Sequence, residues 1–148
     1  MNVDSNDMMT LFARISGAFR IRADKLYASK GLSSGQVAIL ESLFRSDGAT
    51  QSEIARELQV SGATVNKLLR TMIDRGHVTT AKCPFDSRVT RVYATASARA
   101  LGTAIAVCRE RLDAEFFGSL TDVERMMFAQ LLAKSGPDGG SLPNGHQK

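Results

Sequence analysis

From residue 61 to 75 the chain reads SGATVNKLLRTMIDR. Its apolar side chains Val65, Leu68, Leu69, Met72 and Ile73 recur at i, i+3, i+4, i+7 and i+8, which is one stripe of a helix. Ser61 suits an N-cap, and Gly76 suits the left-handed residue beyond the last turn. The opposite face carries Ala63, Asn66, Lys67, Arg70 and Thr71 and no large hydrophobe. An ordinary amphipathic surface helix has this pattern. So does a helix that enters a DNA major groove, which needs small leading side chains, amides and hydroxyls for base edges, and cations for phosphates.

The flanking pattern narrows the choice. Residues 8–29 keep a broad apolar stripe (Leu11, Phe12, Ile15, Ala18, Phe19, Leu26, Tyr27) without proline, a long helix whose stripe needs a cover. After Gly31, Ser33 and Gln36 form a Ser-x-x-Gln capping box before a helix over 34–45 with Val37, Ile39, Leu40, Leu43 and Phe44 inward. Residues 46–49 read as a turn. Thr50 and Glu53 form a second box, opening a short helix to residue 58 with Ile54, Ala55 and Leu58 inward. Two short helices joined by Gln59-Val60 make a helix-turn-helix, although the link lacks the usual glycine. Beyond Gly76 the period changes to alternation. Strands are predicted over 77–83 and 88–95 around a Pro84-Phe85-Asp86-Ser87 loop, a hairpin placed as a wing. Residues 97–118 return to helical periodicity. Thr121 and Glu124 form a third box before a last helix over 122–134. The tail, residues 135–148, is rich in Gly, Pro and polar residues and is expected to be disordered.

The fold class expected is mainly α with a small β-hairpin wing. The predicted organisation is an N-terminal dimerisation helix (1–30), a winged helix-turn-helix domain (31–96), C-terminal dimerisation helices (97–134) and the tail (135–148).

Composition sharpens this. The 148 residues carry a net charge of +4. Eight cations and five acids lie between Arg45 and Arg91, so that segment holds three of the four net charges. A basic balance concentrated there suits nucleic acid as a partner. There is no apolar run near membrane-spanning length and no basic-then-apolar leader, so a cytoplasmic protein with no membrane partner is expected. Cys83 and Cys108 match no zinc spacing with the two histidines, so neither a metal nor another cofactor is expected. Cys108 reads as a buried thiol and Cys83 as an exposed one, with no neighbouring His or paired Cys to lower a thiol pKa. No phosphate loop, nucleophile triad or carboxylate pair suggests an enzyme, and no catalytic residue is assigned.

Three stretches, LSSGQVAILESL, TQSEIARELQVSGATVNKLLRTMIDRGHV and DSRVTRVYATASARAL, give the chain a resemblance to the MarR family of bacterial transcriptional regulators over residues 8–134. The wing carries the most specific match: Asp86-Ser87-Arg88 fits the family's Asp-x-Arg, in which the Arg enters the minor groove and the Asp helps hold it. The resemblance implies a homodimer on a pseudo-palindromic duplex operator, commonly a repressor, released by a small, often phenolic, effector or by an oxidant. Thr80, the Ala94–Ala98 segment and Gly62 depart from the family's usual residues.

The DNA-facing residues expected are Gln51 and Ser52 for phosphate and Ser61, Gly62, Ala63, Thr64, Asn66 and Lys67 for bases. Arg70 and Arg75 are expected on phosphate, and Lys82, Asp86, Arg88 and Arg91 on the wing. Two other readings stay open: a winged-helix interaction module that does not read DNA sequence, and a regulator switched by cysteine oxidation.

Overall fold

A computed structural model describes residues 4–136 of the chain. Residues 137–148, the greater part of the tail expected to be disordered, lie outside the described residues. The elements run α1 (Ser5–Ala28), α2 (Ser34–Arg45), β1 (Ala49–Thr50), α3 (Gln51–Leu58), α4 (Gly62–Asp74), β2 (Val78–Lys82), β3 (Thr90–Ala94), α5 (Ala96–Ala100), α6 (Gly102–Phe117) and α7 (Asp122–Lys134). They fall into two units, one ending at Arg109 and the other beginning at Glu110.

All three capping boxes form. The hydroxyls of Ser33, Thr50 and Thr121 accept from the N–H groups of Gln36, Glu53 and Glu124, and each of those side chains accepts in return from the capping residue's own N–H. These caps satisfy donors that a helix start otherwise leaves open, which is why α2, α3 and α7 begin where the sequence places them. The Thr50 N–H and hydroxyl hold the Glu53 carboxyl below its usual pKa.

The core of the first unit is the inner face of α2 (Val37, Ile39, Leu40, Leu43) against Ile54 of α3, Val65, Leu69 and Met72 of α4, and Val78 and Val92 of the sheet, all essentially inaccessible to solvent. Ala23, Leu26 and Tyr27 bury the C-terminal end of α1. Helix α2 approaches α4 closely at Gly35, where an added Cβ would lie 2.9 Å from a Leu68 methyl.

The sheet is antiparallel with strand order β1-β3-β2. The hairpin pairs Val78 with Ala94 through Lys82 with Thr90. β1 adds Ala49 opposite Val92 and Thr50 opposite Arg91. This third strand replaces the end of the turn expected at 46–49. Two residues carry no period, so only tertiary pairing reveals it.

Three other expectations change. The helix expected over 97–118 is two helices. The Leu101 N–H bonds to the Ala98 carbonyl at 3.0 Å, tightening the last turn of α5, and α6 restarts at Gly102. Ile73, assigned to the inner stripe of α4, is 44% exposed because helical rotation puts it at the edge of the buried stripe centred on Val65, Leu69 and Met72. Phe44 is half-buried rather than fully inward, its ring lying under the Arg99 guanidinium at 5.7 Å.

In the second unit Arg125 Nη1 donates to Asp113 Oδ1 at 2.9 Å, and the Phe117 and Phe128 rings are 5.8 Å apart. Helix α7 leaves Val123, Met126, Met127, Leu131 and Leu132 exposed. Along α1, Met8, Met9, Leu11, Phe12 and Ile15 are exposed in the same way. Among the described residues no helix is long and apolar enough to cross a membrane.

Candidate nucleic-acid interface

The turn between α3 and α4 is tight although it lacks glycine. Gln59 takes up the left-handed conformation, φ 52° and ψ 43°, and is the one non-glycine residue at positive φ among the described residues. The Val60 N–H returns to the Ala55 carbonyl at 3.1 Å, closing α3. Ser61 is extended. Its hydroxyl accepts from the Thr64 N–H at 3.1 Å and lies 2.9 Å from the Thr64 hydroxyl, capping α4.

With Val65, Leu69 and Met72 buried, α4 turns Gly62, Ala63, Asn66, Lys67 and Arg70 to solvent. A shallow depression between the two helices is lined by Gln51, Ser52, Ala55, Gly62, Ala63 and Asn66. Five residues assigned to DNA from the sequence thus share one concavity. An added Cβ at Gly62 would meet nothing within 4 Å, so nothing inside the chain requires a glycine there.

The wing forms a second group. Beyond the paired strands the Cys83 N–H bonds to the Val89 carbonyl at 2.8 Å, and the Val89 N–H to the Asp86 carbonyl at 3.0 Å. The Asp86 carboxylate accepts Arg88 Nε at 3.1 Å, Nη2 at 3.2 Å and the Arg88 main-chain N–H at 3.0 Å. The fork pairs both carboxylate oxygens and limits the poses of a long side chain. Arg88 nevertheless keeps 88% of its side chain in solvent. It also holds the Asp86 carboxyl below its ordinary pKa, through the side-chain bonds first and the main-chain bond second. Lys82 Nζ lies 3.2 Å from the Thr90 hydroxyl.

Two of the expected cations also bond within the chain. Arg75, the C-cap of α4, donates from Nη1 to the Gly31 carbonyl at 2.6 Å. Arg91, half-buried on β3, donates from Nη1 to the Gly48 carbonyl at 2.8 Å. Neither partner is visible from sequence, because each lies more than forty positions away.

Cys83 corrects a second expectation. Its residue is only 8% exposed, because the tip folds back over it. The Phe85 N–H, the Arg91 guanidinium and the Asp86 N–H, in that order, pull its thiol below the ordinary pKa. Cys108 is buried as expected, its sulfur 3.9 Å from the Leu26 carbonyl. His77, where the chain leaves α4, has a buried Nδ1 with no hydrogen-bond partner in the structure.

The sequence reading missed Phe85. It stands at the wing tip beside Asp86 and is 97% exposed. An aromatic inside a Pro-x-Asp turn was the available signal.

The sequence model of the MarR family matches residues 30–89, from the turn before α2 to the far side of the wing tip. This match and the relatives named as HTH-type transcriptional regulators support a MarR-family regulator. The chain is a winged helix-turn-helix transcriptional regulator. Among its relatives, the HTH-type transcriptional repressor Rv2887 of Mycobacterium tuberculosis is 27% identical over 128 residues, covering 86% of this chain and 92% of that one. A MarR protein from Peptoclostridium difficile superposes with a TM-score of 0.81 at 26% identity, over 90% of this chain and 86% of that chain. Bordetella bronchiseptica BpsR, solved in a study of how 6-hydroxynicotinic acid regulates its DNA binding, shares the fold with a TM-score of 0.80 at 21% identity, over 90% and 96% of the two chains.

Proposed function

We propose that this MarR-family regulator is a homodimeric repressor that binds a pseudo-palindromic duplex operator and releases it when a small aromatic effector binds. One observation carries the reading: a solvent-facing helix surface of small and polar groups stands in the same domain as a wing whose Arg88 is oriented by Asp86 yet exposed. Ser61, Gly62, Ala63, Thr64, Asn66 and Lys67 are the base-facing set, with Asn66 suited to adenine and Thr64 or Ala63 to a thymine methyl. Gln51, Ser52 and Arg70 lie toward phosphate, Lys82 beside the wing strand and Arg88 in the minor groove, where Phe85 adds an apolar contact with the sugar edge. The exposed apolar faces of α1 and α7 support the dimer, since a solvated stripe of this kind marks an interaction surface. A repressor among the relatives and a fold neighbour regulated by an aromatic acid support repression and an effector.

The test is a salt-titrated gel shift on a duplex from the protein's own upstream region. Sequence preference and steep loss of affinity with salt are expected. Arg88→Ala should weaken specific binding by about 1–3 kcal/mol without changing fold or oligomeric state. Binding that ignores sequence and salt would favour an interaction module. If peroxide lowers DNA affinity and Cys83→Ser abolishes that response, the oxidation-switched reading replaces effector release.

A further inference from the structure

Helix α2 lies between two turns that end on glycines in the left-handed region, Gly31 (φ +71°) before it and Gly48 (φ +82°) after it. Each of those glycine carbonyls receives an arginine from an element that faces the DNA in the reading above: Arg75 from the end of α4, Arg91 from strand β3 of the wing. We propose that Arg75 and Arg91 are positioning residues, two pins that fix the recognition helix and the wing to opposite ends of α2, and that neither is a phosphate ligand. The inference rests on the proposed DNA interface.

The surroundings favour pins. Helix α2 is a rigid strut: its capping box fixes one end, and Ile39, Leu40 and Leu43 are wholly buried. Gly48 is itself built in. Its N–H donates to the Val92 carbonyl at 3.0 Å, and an added Cβ would lie 3.0 Å from the Tyr93 ring. The turn holding it is tied again by Asp47, whose carboxylate accepts the Ala94 N–H at 2.9 Å and Arg99 Nη2 at 2.6 Å. The Arg91 guanidinium also helps pull the Cys83 thiol below its ordinary pKa, after the Phe85 N–H, while it holds the Gly48 carbonyl. At the other end, Gly35 lets α2 meet Leu68 of α4 at close range, and Arg75 closes the same helix pair further along α4, at its C-terminal end. The contrast with Arg88 is direct, because its guanidinium is held at the exposed tip by an acid on its own loop.

Phosphate ligands and pins leave different marks on salt dependence. Each phosphate that a variant no longer neutralises lowers the slope of log K against log salt by about 0.9 on duplex DNA, whereas removing a pin lowers affinity and leaves the slope alone. The protein carrying Arg75→Met or Arg91→Met, with Arg70→Met and Lys82→Met as phosphate-facing references, is titrated on the upstream duplex across salt. Amide exchange is followed in the same proteins without DNA. The references should lose slope. The two pin variants should lose affinity at unchanged slope, with exchange faster on the order of tenfold at residues 31–33 and in the last turn of α4 for Arg75→Met, and at residues 48–50 and in β3 for Arg91→Met. A slope loss at Arg75 or Arg91 equal to that at Arg70, or unchanged exchange at these turns, overturns the pins. If the unaltered protein binds no duplex, the DNA reading falls and the exchange arm alone decides whether the pins exist.

Discussion

Helices α2 and α1 are written in the same alphabet of Leu, Ile and Phe, yet their fates differ. Ile39, Leu40 and Leu43 of α2 are sealed, whereas Leu11, Phe12 and Ile15 of α1 are each more than half exposed. Helix α2 meets α3, α4 and the sheet within its own chain. The first four turns of α1 meet no such frame, and only Ala23, Leu26 and Tyr27 at its far end are buried. Amphipathic periodicity therefore announces that a face will be covered without saying by what. Where the chain supplies the cover the stripe becomes core; where it does not, the stripe stays in solvent, open to the subunit contact proposed above.

The comparison can be broken most directly at Leu40. Leu40→Ala should destabilise the fold by about 2–5 kcal/mol through lost burial and a residual cavity. Urea denaturation should show the whole loss at any protein concentration. Phe12→Asp should behave oppositely. It should remove an apolar contribution of about 1.5–3 kcal/mol per subunit, shift sedimentation from dimer to monomer, and make the thermal midpoint insensitive to dilution. A Phe12→Asp protein that still sediments as a dimer would sink the assignment of α1 to the interface.

Smaller changes sharpen the winged half. Gln59 occupies a conformation costing a side-chain-bearing residue about 1–2 kcal/mol, so Gln59→Gly should leave the fold as stable or raise it by up to about 1 kcal/mol, read by urea midpoint. The smallest effect belongs to Glu57. The Ser42 hydroxyl at 2.5 Å, helped by the Arg45 ion pair and opposed by burial, holds its carboxyl below the ordinary pKa. A folded pKa lowered in this way adds stability that is full above the ordinary carboxylate pKa and disappears as pH falls through the lowered value. Because 44% of the Glu57 side chain is exposed, Glu57→Gln should cost under about 1 kcal/mol at neutral pH. That gap should close in acid.

Local chemistry was legible in the sequence. Helix α2 spans the residues its pattern predicts, and all three capping boxes form, because a box is complete within four residues. The wing strands form where they are predicted, slightly shortened, but their burial does not alternate: only Val78 and Val92 among their residues are buried. What escaped was settled at long range: the pairing of β1 with β3, the covering of Cys83, the exposure of Ile73 at the edge of the buried stripe, and the turning of Arg75 and Arg91 toward carbonyls over forty residues away. Cationic character is a property of one letter. Whether that cation faces solvent or the chain's own backbone is decided only when distant segments meet.

The two residues of β1 have an effect out of proportion to their length. By pairing with Arg91 and Val92, they leave the middle of that strand no free edge. Any swing of the hairpin must then begin further out, past Lys82 and Thr90, in a span of seven residues, 83–89. A fishing rod clamped at the handle bends at its far third. On the DNA interface proposed above, such a ribbon would follow local variation in groove width while the helix beside it keeps its seat.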